Sequence, residues 1–480
     1  HKTASPPCKP GIGRMIPELQ SGGRGLDSGG GVVRLPPGDN VPVTRRVRRL
    51  IDTAAFQRLA GISQLGMVAR VYPGACHHRL EHSLGVYDVA RQFLLHFYGD
   101  PVARERLPAD FFDDDSAAVF LVAALLHDVG HWPFCHPIED MQLPDQPSHE
   151  TALAEIIRSG ELADAMDQDW GIDPSRVLNL VDPPKPSATH PRESAIHRGD
   201  ASDAFLASCL SGPVDVDKID YLQRDSLHAG VPYGRHFDVA RLIGNLTVHP
   251  HRPRLAVGEK AKTAAEMMVF ARYIMFSEVY WHRTVRAATA MLQRAVFLLQ
   301  HRMDLASMRR MGDSDWVRSL RRAASGTTAE SIVEGLFGKR RQLYKCVAEF
   351  DGTDESGVHQ SLARRPFWYL VTIAESIADR LSSHAGIAIH PSDVLIDAPP
   401  VQLEVDINMD VVRASGDVVP LGTLSPVASS LARDQFDGRV KRVRVFVRPD
   451  LRDRLGDRVP AKQWTGMLRD VSETMLQELA

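Results

Sequence analysis

The residues best suited to chemistry lie close together in one stretch: His127 and Asp128, followed by His131, His136 and His149. They come after an apolar run from Ala117 to Leu126 that is too short to span a bilayer and has Asp113 to Asp115 just ahead of it. The run is therefore predicted to be a buried helix, whose last turn carries an imidazole and a carboxylate into the interior. Burying that pair is costly unless something satisfies it, and a divalent cation with nitrogen and oxygen ligands does so. The plainer alternative is a helix end with a histidine near the macrodipole and Gly130 as the stop. The further histidines weigh against it, since His131 follows His127 by four residues and is predicted to share its helix face.

Two other segments offer matching chemistry. After the turn at Pro73-Gly74, a helix is predicted from Arg79, with Arg79 and His82 one turn apart on the same face. A lone histidine there would ordinarily be a partly buried side chain. Farther on, Asp217, Lys218, Tyr221 and Asp225 fall on one helical stripe. That stripe is either a surface lattice of ion pairs or the polar wall of a pocket. The neighbouring Val214, Val216, Ile219 and Leu222 favour the pocket wall.

The elements that must position these groups belong to an ordinary globular chain. Its 480 residues allow two or three domains, and 44% hydrophobic with 24% charged residues is typical of a soluble protein. A net charge of -3 gives no global attraction to nucleic acid or an anionic membrane, so any anion site must be local. The five cysteines are scattered without a CxxC, which argues for a reducing compartment and against a disulfide scaffold. No signal peptide or membrane span is recognised, so a cytoplasmic location is expected, and His1 in place of Met reads as a tag remnant.

Residues 1–31 are rich in Gly, Pro and Ser and are expected to be a flexible tail. A hairpin is predicted over Val32–Leu35 and Val41–Val43, and then a helix capped by Thr44 and running to about Ala60. Its Arg45, Arg46, Arg48 and Arg49 are read as a solvated face in preference to a phosphate or nucleic-acid site. His149 opens another helix, residues 182–191 form a proline-rich loop, and Ala264 to Gln300 reads as one long amphipathic helix in which Tyr280 to Arg283 either reach the pocket or a subunit interface or serve packing, the reading preferred for the aromatics. Helices continue over 304–353, strands are expected at 394–398, 401–405 and 440–447, and a helix closes the chain at Ala461–Leu479. Arg442, Arg444 and Arg448 share one face at the last strand.

Taken in order, His82, His127-Asp128 and Asp217 form a pattern that resembles the HD superfamily of metal-dependent phosphohydrolases, in particular its dGTPase-like and vertebrate sterile-alpha-motif/HD-type deoxynucleotide triphosphohydrolases. The resemblance rests on Ile51 to Leu59, Gln64-Leu65-Gly66, Pro73 to Ala75, Arg79 to Gly85, His127 to His136, Ser148 to Glu150 and Asp215 to Tyr221. It covers roughly residues 32–300 and extends more loosely beyond. It implies a mainly α fold, with a helical HD domain over 32–339 including the hairpin, a smaller C-terminal α+β lobe over 340–480, and no sterile-alpha-motif domain ahead of residue 32.

The resemblance further implies that His82, His127, Asp128 and Asp217 hold iron, manganese or zinc, with magnesium accompanying the nucleotide. The implied reaction is attack on the α-phosphorus of a dNTP, releasing deoxynucleoside and triphosphate. His136 is then the general acid and Glu139, where the vertebrate enzymes have Asp, its orienting partner. Arg79, His131, His149, Lys218 and Tyr221 correspond to phosphate contacts, Gln64 and Asp225 to contacts with the sugar 3'-hydroxyl, and Leu65 to a residue crowding the 2' position. Asp52 and Gln57 match a guanine-activator site in which the expected arginine is replaced by Ala60, while Asp238 and Arg241 match a neighbouring activator site. Weak or altered allostery follows, within a homo-oligomer that is a dimer or tetramer. The rival readings are another HD phosphohydrolase or phosphodiesterase using the same metal site, or a nucleotide-sensing or nucleic-acid-binding regulator; no membrane partner is expected.

Overall fold

The computed structural model describes residues 16–20, 29–144, 146–183, 198–399, 408–431, 438–456 and 459–479. Most of the expected proline-rich loop and all of the expected 401–405 strand lie outside them. Strands β1 (Gly31–Leu35) and β2 (Asp39–Val43) pair as the predicted hairpin. Within the stretch read as a tail, residues 16–20 are packed: Leu19 is fully buried, and the Glu18 carboxylate accepts from Thr44 Oγ1 at 2.6 Å and Arg46 Nη2 at 2.6 Å.

The core is built around four helices, α1 (Arg79–Gly99), α2 (Asp114–Leu126), α3 (His149–Ile157) and α4 (Val216–Ala229). Every residue from Ser116 to Leu126 is buried, so α2 has no polar face and is surrounded on all sides. Asp114 and Asp115 in its first turn sit where the macrodipole favours anions. Helix α4 is set at both ends: Asp215 caps it by accepting from Lys218 N at 2.7 Å, and Gly230 ends it in the left-handed conformation. Two glycines permit close approach. A Cβ at Gly85 on α1 would run into Asp220 and Arg224 of α4, and one at Gly130 would run into the His149 carbonyl that opens α3.

Strands β3 (Leu246–Val248) and β4 (Leu255–Gly258) follow, then α5 (Lys262–Ile274) and α6 (Arg283–Leu299). The single helix expected over 264–300 is interrupted at Trp281 and His282, where His282 caps α6 through its side chain. The helix expected from Thr44 to Ala60 is likewise broken, because Thr53 accepts from Phe56 N and starts a new turn. In the region expected to be helical throughout, residues Lys345–Phe350 form β5 instead.

Helix α7 (Phe367–Ala385), strands β6 (Val394–Asp397), β7 (Asp410–Val412), β8 (Val418–Pro420) and β9 (Val443–Val447), and α8 (Ala461–Leu479) complete the chain. Strand β9 lies between β5 and β6 in an antiparallel sheet packed on α7 and α8, and all its residues are buried. Strands β7 and β8 return to the other sheet, in which β7 runs parallel to β4. The fold is mainly α, with a helical core and a small sheet-containing C-terminal part. Among the described residues no helix is long and apolar enough to cross a membrane.

Because Gly85 lets α1 and α4 meet over a charged pair, Gly85→Ala is expected to destabilise the protein by about 1–3 kcal/mol through overpacking. The check is the midpoint of urea unfolding, which should fall; an unchanged midpoint would show that Asp220 and Arg224 can move aside.

Candidate functional site

Helix α1 brings His82, the end of α2 brings His127 and Asp128, and the first turn of α4 brings Asp217, all to one point. His82 Nε2 stands 3.0 Å from Asp217 Oδ1 and 3.9 Å from Asp128 Oδ2, and His127 Nε2 stands 3.5 Å from Asp128 Oδ1 and 3.9 Å from Asp217 Oδ1. Such spacings suit ligands around an ion with bonds of about 2.0–2.2 Å. The ring tautomers fit as well. His82 Nδ1 donates to Asp220 Oδ2 at 2.8 Å and His127 Nδ1 to the Ala124 carbonyl at 2.8 Å, so both Nε2 atoms are turned into the cage.

His127 Nε2 is buried and has no hydrogen-bond partner among the described residues, as expected of a nitrogen reserved for a cation. The surroundings also favour positive charge. Burial opposes it, yet Asp217, Asp220 and Asp128 push His82 up to about 10, while Asp217, opposed by burial, is lowered to about 2 by His82 and His127. The residues present therefore fit a divalent metal.

A second layer holds the cage. Asp220 forms a fork with Arg224, at 2.9 Å to Nε and 2.7 Å to Nη2, and Arg224 reaches Glu81 at 2.7 Å. Glu81 accepts from His228 Nε2 at 2.9 Å, and the His228 ring stacks on His77 at 4.3 Å. His77 Nε2 in turn donates to Asp225 Oδ1 at 2.9 Å, and Tyr280 OH donates to Asp225 Oδ2 at 2.6 Å. Sequence reasoning missed Asp220, Arg224, Glu81 and His77, and it ranked a pocket role for Tyr280 below packing. The signal for Asp220 was present in its spacing three residues after Asp217; His77 carried none, because its partner lies on another element.

Beside the cage opens a cavity of about 790 Å³, lined by Gln64, Leu65, Arg79, His136, Glu139, His149, Tyr221 and Asp225 among others. Gln64 and Leu65 reach it because Ile62 and Gln64 pair through their backbones with Arg79 and His77. Arg79 Nη1 is bonded to Asp128 Oδ2 at 2.8 Å. The Lys218 ammonium is bonded to Asp215 Oδ2 at 2.6 Å, and Lys218 is not among the residues lining the cavity. Tyr280, read from sequence as packing, lines the cavity together with Phe276.

His131 does not continue the helix face of His127, because α2 stops at Leu126 and a turn through Gly130 follows. It nevertheless stays at the site, with Nδ1 3.1 Å from Asp128 Oδ1, and burial followed by the Arg79 charge holds it well below the usual histidine range. His136 and Glu139 sit on the short helix Cys135–Glu139, entered through Phe134 in the left-handed conformation and anchored by Phe134 and Ile138 in the core around α6. Glu139 holds His149 more closely than the expected His136: both its oxygens lie 3.0 Å from His149 Nδ1, whereas His136 Nδ1 is 3.7 Å away.

The expected activator residues lie apart from this cavity. Asp52 lines a second cavity of about 410 Å³ with Arg45, Arg48, Arg49, Glu161 and Asp164. Gln57 donates to the Ile51 carbonyl at 2.9 Å, Asp238 caps a short helix by accepting from Arg241 N at 2.9 Å, and Arg241 Nε reaches the Lys260 carbonyl. The arginine face is partly engaged, with Arg46 over Trp170 at 3.9 Å and Arg49 paired with Asp169 at 2.9 Å.

Residues 79–183, which supply His82, His127 and Asp128, match the HD domain, and residues 237–463 match the HD associated region. The chain thus carries an HD domain followed by an HD associated region. The HD domain supports a hydrolase that uses a divalent metal. The HD protein is 29% identical over 390 residues to an uncharacterized protein of Methanocaldococcus jannaschii, a match covering 80% of this chain and 72% of that one. It is 34% identical to the uncharacterized protein YwfO of Bacillus subtilis, over 51% of this chain and 50% of that one. It is 30% identical to human deoxynucleoside triphosphate triphosphohydrolase SAMHD1, over 52% of this chain and 41% of the human protein.

Two crystal structures share the fold of the HD protein. A hypothetical protein from Aquifex aeolicus superposes with TM-score 0.64 at 24% identity, covering 89% of this chain and all of that one. A phosphohydrolase from Bacteroides thetaiotaomicron superposes with TM-score 0.62 at 21% identity, covering 87% of this chain and all of that one.

The His149–Glu139 pair makes stability depend on pH. Burial opposes charge on both, but Glu139 raises His149 above its ordinary 6.5, and His136 together with His149 lowers Glu139 below its ordinary 4.5. A raised histidine contributes fully below its unfolded value and a lowered carboxylate fully above its own, so the pair stabilises fully between pH 4.5 and 6.5. Its contribution is lost as pH rises through the folded His149 value or falls through the folded Glu139 value. At fixed metal concentration, the urea midpoint of the wild type should exceed that of Glu139→Gln most in this window, and the gap should narrow above it. A gap that widens with rising pH would contradict the pairing.

Proposed function

We propose that the HD protein is a metal-dependent deoxynucleoside triphosphate triphosphohydrolase, converting a dNTP and water to a deoxynucleoside and triphosphate. The observation that carries this reading is the His82, His127 and Asp128 cluster, with Asp217 against both imidazoles, joined through Arg79 to a cavity whose walls combine cations, a buried amide and a carboxylate. The similarity to human deoxynucleoside triphosphate triphosphohydrolase SAMHD1 supports the choice of substrate. When bound at the cage, a divalent cation supplies Lewis acidity toward a phosphoryl oxygen and makes water a stronger acid.

In this reading Arg79, His131, His149 and Tyr221 surround the phosphates, and Lys218 joins them on release from Asp215. Gln64 Oε1 is buried with no hydrogen-bond partner among the described residues, so a sugar hydroxyl that donates to it relieves a cost of about 1–3 kcal/mol. Asp225, fixed by His77 and Tyr280, retains acceptor capacity for the same 3'-hydroxyl, because an ionised carboxylate offers about four lone-pair sites. Leu65 crowds the 2' position and favours a deoxyribose. His136, whose side chain is 60% exposed at the cavity, donates a proton to the departing 5'-oxygen as a general acid. Glu139 positions the histidines around it. A homo-oligomer, and weak dependence on a nucleotide activator near Asp52, Gln57, Asp238 and Arg241, complete the proposal.

The test is ion-exchange analysis of products from each dNTP in manganese and in magnesium, with and without added GTP, and with Asp217→Ala as control. Triphosphate and deoxynucleoside should appear with little change on adding GTP, and Asp217→Ala should lose both metal and turnover. Orthophosphate as the product, or no turnover with any dNTP, would reject the assignment.

A further inference from the structure

Next to the cage stands a second convergence of ligand atoms, on three residues to which the proposed chemistry gives separate roles. His136, Glu139 and His149 place their ligand atoms within 4.8 Å of one another, and all three line the cavity. His149 Nδ1 lies 3.0 Å from each oxygen of Glu139, and His136 Nδ1 lies 3.7 Å from Glu139 Oε2, beyond hydrogen-bond distance. A tetrahedral ion with bonds of about 2.0–2.1 Å separates its ligand atoms by roughly 3.3 Å. The two observed spacings bracket that value, so little side-chain movement is needed to close on an ion.

We propose that His136, Glu139 and His149 form a second divalent-metal site, selective for a borderline transition ion such as Zn²⁺. Two imidazoles and one carboxylate suit zinc better than magnesium, which prefers oxygen ligands in octahedral geometry. The geometry leaves the fourth position open toward the cavity, as in zinc sites that exchange water or ligand. His136 closes the set from its exposed side, while His149 and Glu139 are fixed by the hydrogen bond from His149 N to Glu139 Oε1 at 2.7 Å. Arg79 nearby does not oppose a second cation strongly, because its guanidinium is paired with Asp128 at 2.8 Å.

Cys135 belongs to an overlapping set with His131 and His149, both members of which are more deeply placed than His136. An ion bound there would need the thiol, so the two sets are separable by mutation. Zinc held by His136, Glu139 and His149 occupies the imidazole assigned above as proton donor and turns the site off; that consequence rests on the proposed function, whereas the binding itself does not.

The experiment is equilibrium dialysis of the full-length manganese-loaded protein against Zn²⁺, with total metal per chain counted by mass spectrometry and folding checked by circular dichroism. The wild type should retain one more metal ion per chain than His136→Asn or Glu139→Gln, and Asp217→Ala should lose the other ion instead. His136→Asn removes an exposed side chain and keeps the fold. Equal loading of wild type and both variants would overturn the site, as would an extra ion that is lost in Cys135→Ser and kept in Glu139→Gln. Zinc uptake by a protein that forms no triphosphate in manganese alone, before any zinc is added, would reject the triphosphohydrolase and leave the second site standing.

Discussion

The end of α2 is largely buried, and the polar groups delivered there must find partners within the protein or a ligand. That constraint governs the rest of the site. His127 and Asp128 emerge from a helix with no solvated side, and His82 and Asp217 meet them from two other helices. An uncompensated charge in such a place costs several kcal/mol, which is why the cage is backed by a continuous set of paired groups and not by isolated contacts. Asp220 sets the ring of His82, a main-chain carbonyl sets that of His127, and Arg79 balances Asp128.

The same network runs past the cage to the far wall of the cavity. Arg224, Glu81, His228 and His77 connect Asp220, behind the cage, to Asp225, which faces the proposed sugar position. Asp220, Arg224, Asp225 and His228 of α4 thus belong to one set of hydrogen-bonded and stacked groups. On the opposite side His136 and His149 flank Glu139. The close approach allowed by Gly130 is what brings His149 within reach of Glu139.

The C-terminal part supports the cavity from outside. Arg286 on α6 lines the cavity, makes a buried fork with Asp397 of β6 at 3.0 and 2.6 Å, and lies over the Trp281 ring at 4.4 Å. A cavity wall is thereby tied to the β5–β9–β6 sheet, far along the chain from the metal cage. The helical turns after α5, Met275–Tyr280, stop at the Trp281 break and place Tyr280 where its hydroxyl donates to Asp225.

The sequence by itself determined the buried α2, the hairpin, the helix opening at His149 and the residue types of the cage, because these depend on local periodicity, capping and chemical type. Thr44 acts as the cap that its pattern indicates. Local signals were weaker where two conformations compete, as at Thr53, Trp281 and Lys345–Phe350, and there tertiary packing chose the break or the strand. Only the tertiary structure decided that Glu139 serves His149 before His136, that Lys218 is held by Asp215, that residues 16–20 are anchored through Glu18, and that His77 and Tyr280 fix Asp225. Each of these joins residues from different elements or selects among several partners within reach, and such a choice is settled by burial and geometry, which no spacing along the chain encodes.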